Sequence, residues 1–256
     1  MTHHEASPSR SSGPRTSGTF RPFGVRLLTF DVVGTLIDFE AGILASVARL
    51  AGRTGARHPD RAVLEAYARA ERIEGRRNPQ ATFTDLLDAA YPHMAAELRL
   101  PPYPDPEDTL RAGIPHWPAF PDAVDALAAL RHRFRLVALT NADAAAARAM
   151  AATLGDPFHD LVTPDIAGAA KPDPRIFSFC HARQSAHGHS RADWLHVAQS
   201  QYHDIGVATR LGLRTCWIER RHEKPGFGAT PRPDRITAPD LHFPSLGGLL
   251  AALGVE

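Results

Sequence analysis

The sequence predicts an α/β protein, a doubly wound parallel sheet with an inserted block of helices. Three observations support that fold class. An apolar, β-leaning run, Leu27-Leu28-Thr29-Phe30, meets an acid at Asp31 and then turns on Gly34-Thr35. From Phe120 onward, short apolar strands alternate with single helices, a grammar that implies parallel pairing. Between these regions, residues 41–115 show helical spacing and no convincing strand. The 256 residues suit one large α/β domain or a core with a small inserted one. The expected division is a tail over 1–24, a core from 25–40 and 116–256, and a helical cap over 41–115.

In chain order, a strand ending in Asp31 comes first. Residues 41–53 then place Ile43, Leu44, Val47, Leu50 and Ala51 at helical spacing. His58-Pro59-Asp60 caps a second helix over about 61–74, and Thr82-Phe83-Thr84-Asp85 opens a third that runs to about 98. A proline-rich linker from Pro101 precedes a short helix to about 112. The alternating part predicts a helix over 121–132, a strand over 134–139, a helix over 144–154 and a brief strand at Leu161-Val162. A loop over 166–174, a helix over 175–186, a strand over 194–198, a helix to 211 and a last strand over 214–218 complete it.

Composition limits the function. Lys plus Arg number 29 and Asp plus Glu 28, which leaves no electrostatic footprint for nucleic acid. The expected partner is a small anionic molecule. No apolar run reaches the roughly 18 residues of a membrane span. Residues 1–17 are rich in Ser, Pro, Gly and Arg and lack the apolar stretch of a signal peptide, so disorder is expected there. Two cysteines, Cys180 and Cys216, sit in apolar segments and read as reduced core thiols, which favours a cytoplasmic location. The apolar cap helices allow a homodimer without requiring one.

Four polar stations fall at or just beyond strand ends: Asp31 with Thr35, Thr140 with Asn141, Lys171, and Asp204. Parallel strands would bring all four to one crevice at the C-terminal edge of the sheet, where open α/β sheets bind ligands. Singly each is weak, since a lone loop lysine usually faces solvent. Together, one station per strand, they form a set able to perform nucleophilic displacement. Lys171 lies on a stiff Lys171-Pro172-Asp173-Pro174 turn. Its ammonium beside Asp31 would keep that acid ionised. The other histidines show no metal-ligand spacing; His196 in the fourth strand reads as a satisfied core histidine, and His203 beside Asp204 is the one with a functional reading.

D-V-V-G-T-L, L-T-N, K-P-D-P and H-D before a helix resemble the four ordered motifs of the haloacid dehalogenase superfamily, over residues 25–250. F-D-V-V-G-T-L-I-D-F-E, L-H-V-A-Q-S-Q-Y-H-D and T-C-W-I-E-R-R bring the chain closest to its 2-haloacid dehalogenase branch. The resemblance implies a Rossmann-like core under a helical cap. It makes Asp31 the nucleophile, with Thr35 orienting it. Thr140 and Asn141 would hold the substrate's anionic group, Lys171 would neutralise charge, and Asp204 would position Lys171 or the hydrolytic water. Gln199 and Gln201 stand where dehalogenases keep small polar residues that orient water. Phe177 stands where their tyrosine is expected, so a phenol hydroxyl is missing. The family's cap arginine aligns with Ala68, which makes Arg69 and Arg72 the nearest substitutes.

Most superfamily members are Mg²⁺-dependent phosphatases with a second aspartate two residues after the nucleophile. Here that position is Val33, which lines the substrate site but cannot protonate an alkoxide. Positioned acid–base catalysis contributes roughly 10²–10⁴-fold. Halide leaves without a proton, so Val33 costs a dehalogenase nothing at its first step. The expected activity is therefore hydrolysis of the carbon–halogen bond of short 2-haloalkanoic acids, with no cofactor required. One alternative is a phosphatase that borrows its acid from His203 or the cap and holds Mg²⁺ on Asp31 and Asp204. A second is a catalytically silent module that binds a carboxylate or phosphate.

Overall fold

The computed structural model describes residues 24–255 apart from Thr54, Gln80 and Pro104, so the tail expected over 1–24 lies, but for Gly24, outside the described residues. Six strands form one sheet in the order β3-β2-β1-β4-β5-β6, and every pairing is parallel. They are β1 (Leu27–Phe30), β2 (Arg135–Leu139), β3 (Asp160–Val162), β4 (Trp194–Ala198), β5 (Arg214–Ile218) and β6 (Leu241–Phe243). β1 is central and wholly buried, as its largely apolar run requires of a strand covered on both faces.

Side chains alternate between those faces. Leu28, Phe30, Leu136 and Ala138 pack with α4 (Ala123–Arg131), α5 (Ala144–Thr153) and α9 (Leu246–Leu253). Leu27, Val137, Leu139 and Trp194 point the other way, toward α7 (Pro174–Ser185) and α8 (Gly206–Arg210). That is the doubly wound arrangement. The short α6 (Pro164–Ala167) overlaps the loop expected over 166–174. β6 and α9 were not expected, because a three-residue strand between prolines has too few residues to show a period. Both cysteines are free and buried. Among the described residues no helix is long and apolar enough to cross a membrane.

The inserted helices are α1 (Phe39–Gly52), α2 (Asp60–Arg77) and α3 (Phe83–Leu98), followed by two 3₁₀ turns, Pro106–Asp108 and Arg111–His116, where one short helix was expected. Asp38 caps α1 by accepting from Ala41 N, and a capping box between Thr82 and Asp85 starts α3. Phe39, Tyr67, Phe83 and Trp117 meet edge to face in a row, with centroids 5.8–6.3 Å apart. Gly42 lets Trp117 close in, since an added Cβ would lie 2.3 Å from its ring. The cap's apolar interior is thus continuous with the core above the sheet. At the sheet edge, Phe83 N donates to Asn141 O at 2.9 Å and seats the start of α3 on the end of β2.

Candidate active site

Phe30 pairs with Ala138 and Val197, so Asp31 emerges at the C-terminal edge between β2 and β4, where the strand order reverses. Beyond it the chain folds back on itself. Leu36 N and Ile37 N donate to Val32 O, and Gly34 N to Ile37 O, all within 3.0 Å. Gly34 makes this possible with a φ of +86° and with the Phe39 ring 3.1 Å from where a Cβ would stand. The turn carries the Thr35 hydroxyl back to donate to Asp31 Oδ2 at 2.6 Å. Gln199 N donates to that hydroxyl at 2.8 Å, which fixes the direction of its own proton. Arg220, just past β5, donates to Thr35 O at 2.9 Å and holds the turn from outside.

Lys171 Nζ donates to Asp31 Oδ1 and Asp204 Oδ1, both at 2.7 Å. The side chains of Lys171, Asp31 and Asp204 are 1%, 7% and 1% exposed. Burial at this level is tolerated only with close charge pairing. Burial raises Asp31, helped by the charge of Asp204 and opposed by Lys171 and Thr35. Burial would also raise Asp204, but the Lys171 charge and the His196 contact outweigh it and hold that acid low. Burial works to lower Lys171, and the two carboxylates more than reverse it. Two carboxylates thus share one ammonium.

The other expected binding groups have protein partners or fixed places in the structure. The Asn141 amide clamps the Lys171 backbone, accepting from Lys171 N at 2.7 Å and donating to Lys171 O at 2.9 Å. The Thr140 hydroxyl is fully buried and accepts from Ala142 N. Gln201 spends its amide on both backbone groups of Thr237 and so secures that loop. Gln199 is buried, with Oε1 accepting from Thr230 at 3.3 Å. His203 lies against Ser200, and burial pushes it down to about 4, so at neutral pH it carries no charge. Val33 is half-buried and bridges to Ile37 through its backbone. Arg69 and Arg72 are exposed, and Arg69 pairs with Glu97. The cause is the phase of α2, which buries Val63, Ala66, Tyr67, Ala70 and Glu71 and turns both arginines outward.

The structure adds two groups to this centre. His196, expected only as a satisfied core histidine, contacts Asp204 Oδ1 at 2.9 Å, and Arg220 holds the turn after Asp31. A signal existed for the first: Thr29 and His196 are polar breaks in two apolar strands, and they are register partners. Beside the turn lies a cavity of about 30 Å³, lined by Gly34, Phe39, Gln199, Arg220 and Arg221 among others. It meets the centre through Gly34, Gln199 and Arg220.

The centre offers two carboxylates, Asp31 and Asp204, to a cation such as Mg²⁺. Both Asp31 oxygens are engaged, and Lys171 and His196 occupy Asp204 Oδ1, which leaves Asp204 Oδ2 as the one free carboxylate oxygen. No group of three His, Cys, Asp or Glu side chains that could hold a metal occurs among the described residues.

Solved structures of the same fold include an L-2-haloacid dehalogenase, 24% identical with a TM-score of 0.73, covering 90% of this chain and 99% of that one. The L-2-haloacid dehalogenase of Xanthobacter autotrophicus with chloropropionic acid covalently bound is 20% identical, with a TM-score of 0.69 and coverage of 89% and 98%. The HAD-family hydrolase YfnB of Bacillus subtilis, bound to magnesium, is 19% identical, with a TM-score of 0.70 and coverage of 90% and 99%. No curated protein matches the chain. At these identities the structures speak for the fold. The family rests on the match of residues 25–185 to the model of haloacid dehalogenase-like hydrolases, a stretch that holds Asp31, Thr35 and Lys171. With that match over more than half its length, the chain belongs to the haloacid dehalogenase-like hydrolases.

Proposed function

We propose that the protein hydrolyses the carbon–halogen bond of short 2-haloalkanoic acids through an aspartyl ester on Asp31. The observation that carries this reading is the surroundings of the nucleophile. Asp31 is held by a hydroxyl and an ammonium, and Val33 stands where a phosphatase keeps its acid. An alkoxide leaving group would find no carboxylic acid at position 33 to protonate it, whereas halide needs none.

In this mechanism an Asp31 oxygen attacks the halogen-bearing carbon, the carbon–halogen bond breaks, and halide departs with the bonding pair. Lys171 stays bonded to the carboxyl and balances Asp204 throughout. Water then attacks the Asp31 acyl carbon, the acyl carbon–oxygen bond to the substrate breaks, the 2-hydroxy acid leaves with one proton of that water, and the other proton is released as the carboxylate is regenerated. Asp204 Oδ2, buried and without a partner, is an acceptor available to that water. The helical cap would exclude bulk water and raise the reactivity of the carboxylate.

Chloride release from 2-chloropropionate and chloroacetate in EDTA, with wild type beside Asp31→Asn, tests the reading. Release by the wild type that vanishes in the variant is expected. No halide release, with phosphate freed from small phosphoesters only when Mg²⁺ is added, would overturn it.

A further inference from the structure

We propose that His196 is a positioning residue of the catalytic centre: neutral and protonated on Nε2, it donates to Asp204 Oδ1, so Asp204 holds Lys171 with one oxygen and keeps the other free. The hydrogen-bond assignment stands on geometry alone, and its kinetic readout rests on the dehalogenase reading above.

The proton positions follow from a chain of fully buried contacts. Trp194 Nε1–H can only donate, and it reaches Thr29 Oγ1 at 2.5 Å. Thr29 Oγ1 lies 2.8 Å from His196 Nδ1, and His196 Nε2 lies 2.9 Å from Asp204 Oδ1. That carboxylate oxygen already accepts from Lys171, and a bare nitrogen facing it would set lone pair against lone pair. Nε2 therefore carries a proton. Thr29 has one proton of its own to place, and His196 Nδ1 is the one acceptor given to it. The neutral Nε2–H tautomer satisfies every member: Trp194 to Thr29, Thr29 to His196, His196 to Asp204. A second proton on the ring would place a cation at 0% exposure, next to a carboxylate already paired with Lys171, and would strand the Thr29 proton. The Phe177 edge, 5.3 Å from the imidazole centroid, backs the ring in this orientation. Asp204 then has two donors on Oδ1 and none on Oδ2.

The test uses the full chain with ¹⁵N-labelled histidine and lysine, in wild type, His196→Gln and His196→Asn. A glutamine amide reaches the Nε2 position and can still donate to Asp204; an asparagine amide reaches only the Nδ1 position beside Thr29. Expected are an Nε2–H signature for wild-type His196 and a Lys171 ammonium resonance that shifts in H196N and returns in H196Q. For halide release, kcat should fall roughly 10- to 100-fold in H196N, the scale of a lost hydrogen bond to a charged group, with KM unchanged and rescue by H196Q. A wild-type ring protonated on Nδ1 or on both nitrogens would overturn the proposal without any variant needing to fold. So would an H196N protein whose Lys171 resonance matches the wild type. If the wild type releases no halide, the dehalogenase reading fails, and the tautomer and the Lys171 resonance still decide the role of His196.

Discussion

Asp204 in the core and Glu71 in the cap are both carboxylates withdrawn from water, and the protein treats them in opposite ways. Asp204 receives Lys171 and His196 on one oxygen and is held low despite its burial. Glu71 has no hydrogen bond or ion pair among the described residues, and burial alone pushes it up to about 8. Its polar neighbour is Tyr67, four residues earlier on α2, whose buried hydroxyl has no partner. Burial, then the charge of Glu71, raises that phenol well above its ordinary value. The C-terminal edge of a parallel sheet gathers groups from several strands and can assemble counter-charge there. A helix packed into an apolar cap has no such supply, so its acid takes up a proton instead of a partner.

Removing the counter-charge should give the largest effect. Lys171→Met leaves Asp31 and Asp204 buried together without a cation. Loss of one partner from a buried pair costs about 3–5 kcal/mol. Urea unfolding at pH 7 should register that loss, and a change below about 1 kcal/mol would mean that the ammonium does not balance the acids.

The converse test is Glu71→Gln. Because Glu71 rises from 4.5 to about 8 on folding, its contribution is most favourable below pH 4.5 and is lost as pH climbs toward 8. Between pH 4.5 and 7 that amounts to an upper bound of about 3 kcal/mol. The variant should therefore match the wild type near pH 4.5 and exceed it at pH 7, in melts at both values. Equal stability at both would show that Glu71 is solvated or paired.

The smallest effect belongs to Arg69→Ala. An exposed pair such as Arg69–Glu97 is worth roughly 0–1 kcal/mol, and turnover should stay at the wild-type level. A large fall in halide release would put Arg69 back in the site.

Much of the centre was legible because it depends on order along the chain. Strands alternating with single helices must run parallel, which sends their C-terminal ends to one edge. That places Asp31, the Lys171 turn and Asp204 together with no knowledge of side-chain direction. The rest depends on facing. The spacing of Val63, Tyr67 and Ala70 carries the phase of α2, yet only the packed cap shows that Tyr67 meets Phe39 while Arg69 meets Glu97. Nothing local to Asn141 reveals that its amide meets the Lys171 backbone 30 residues away.

By itself, then, the sequence determined the parallel sheet, Asp31 ahead of its glycine turn, and the absence of an acid at Val33, since each follows from residue type and period over a few positions. The tertiary structure decided which polar groups share protons. Thr29 and His196 are 167 residues apart, and their contact exists only because β1 and β4 lie side by side in a fixed register. Hydrogen bonding is directional over about 3 Å, and no pattern along the chain resolves distance on that scale.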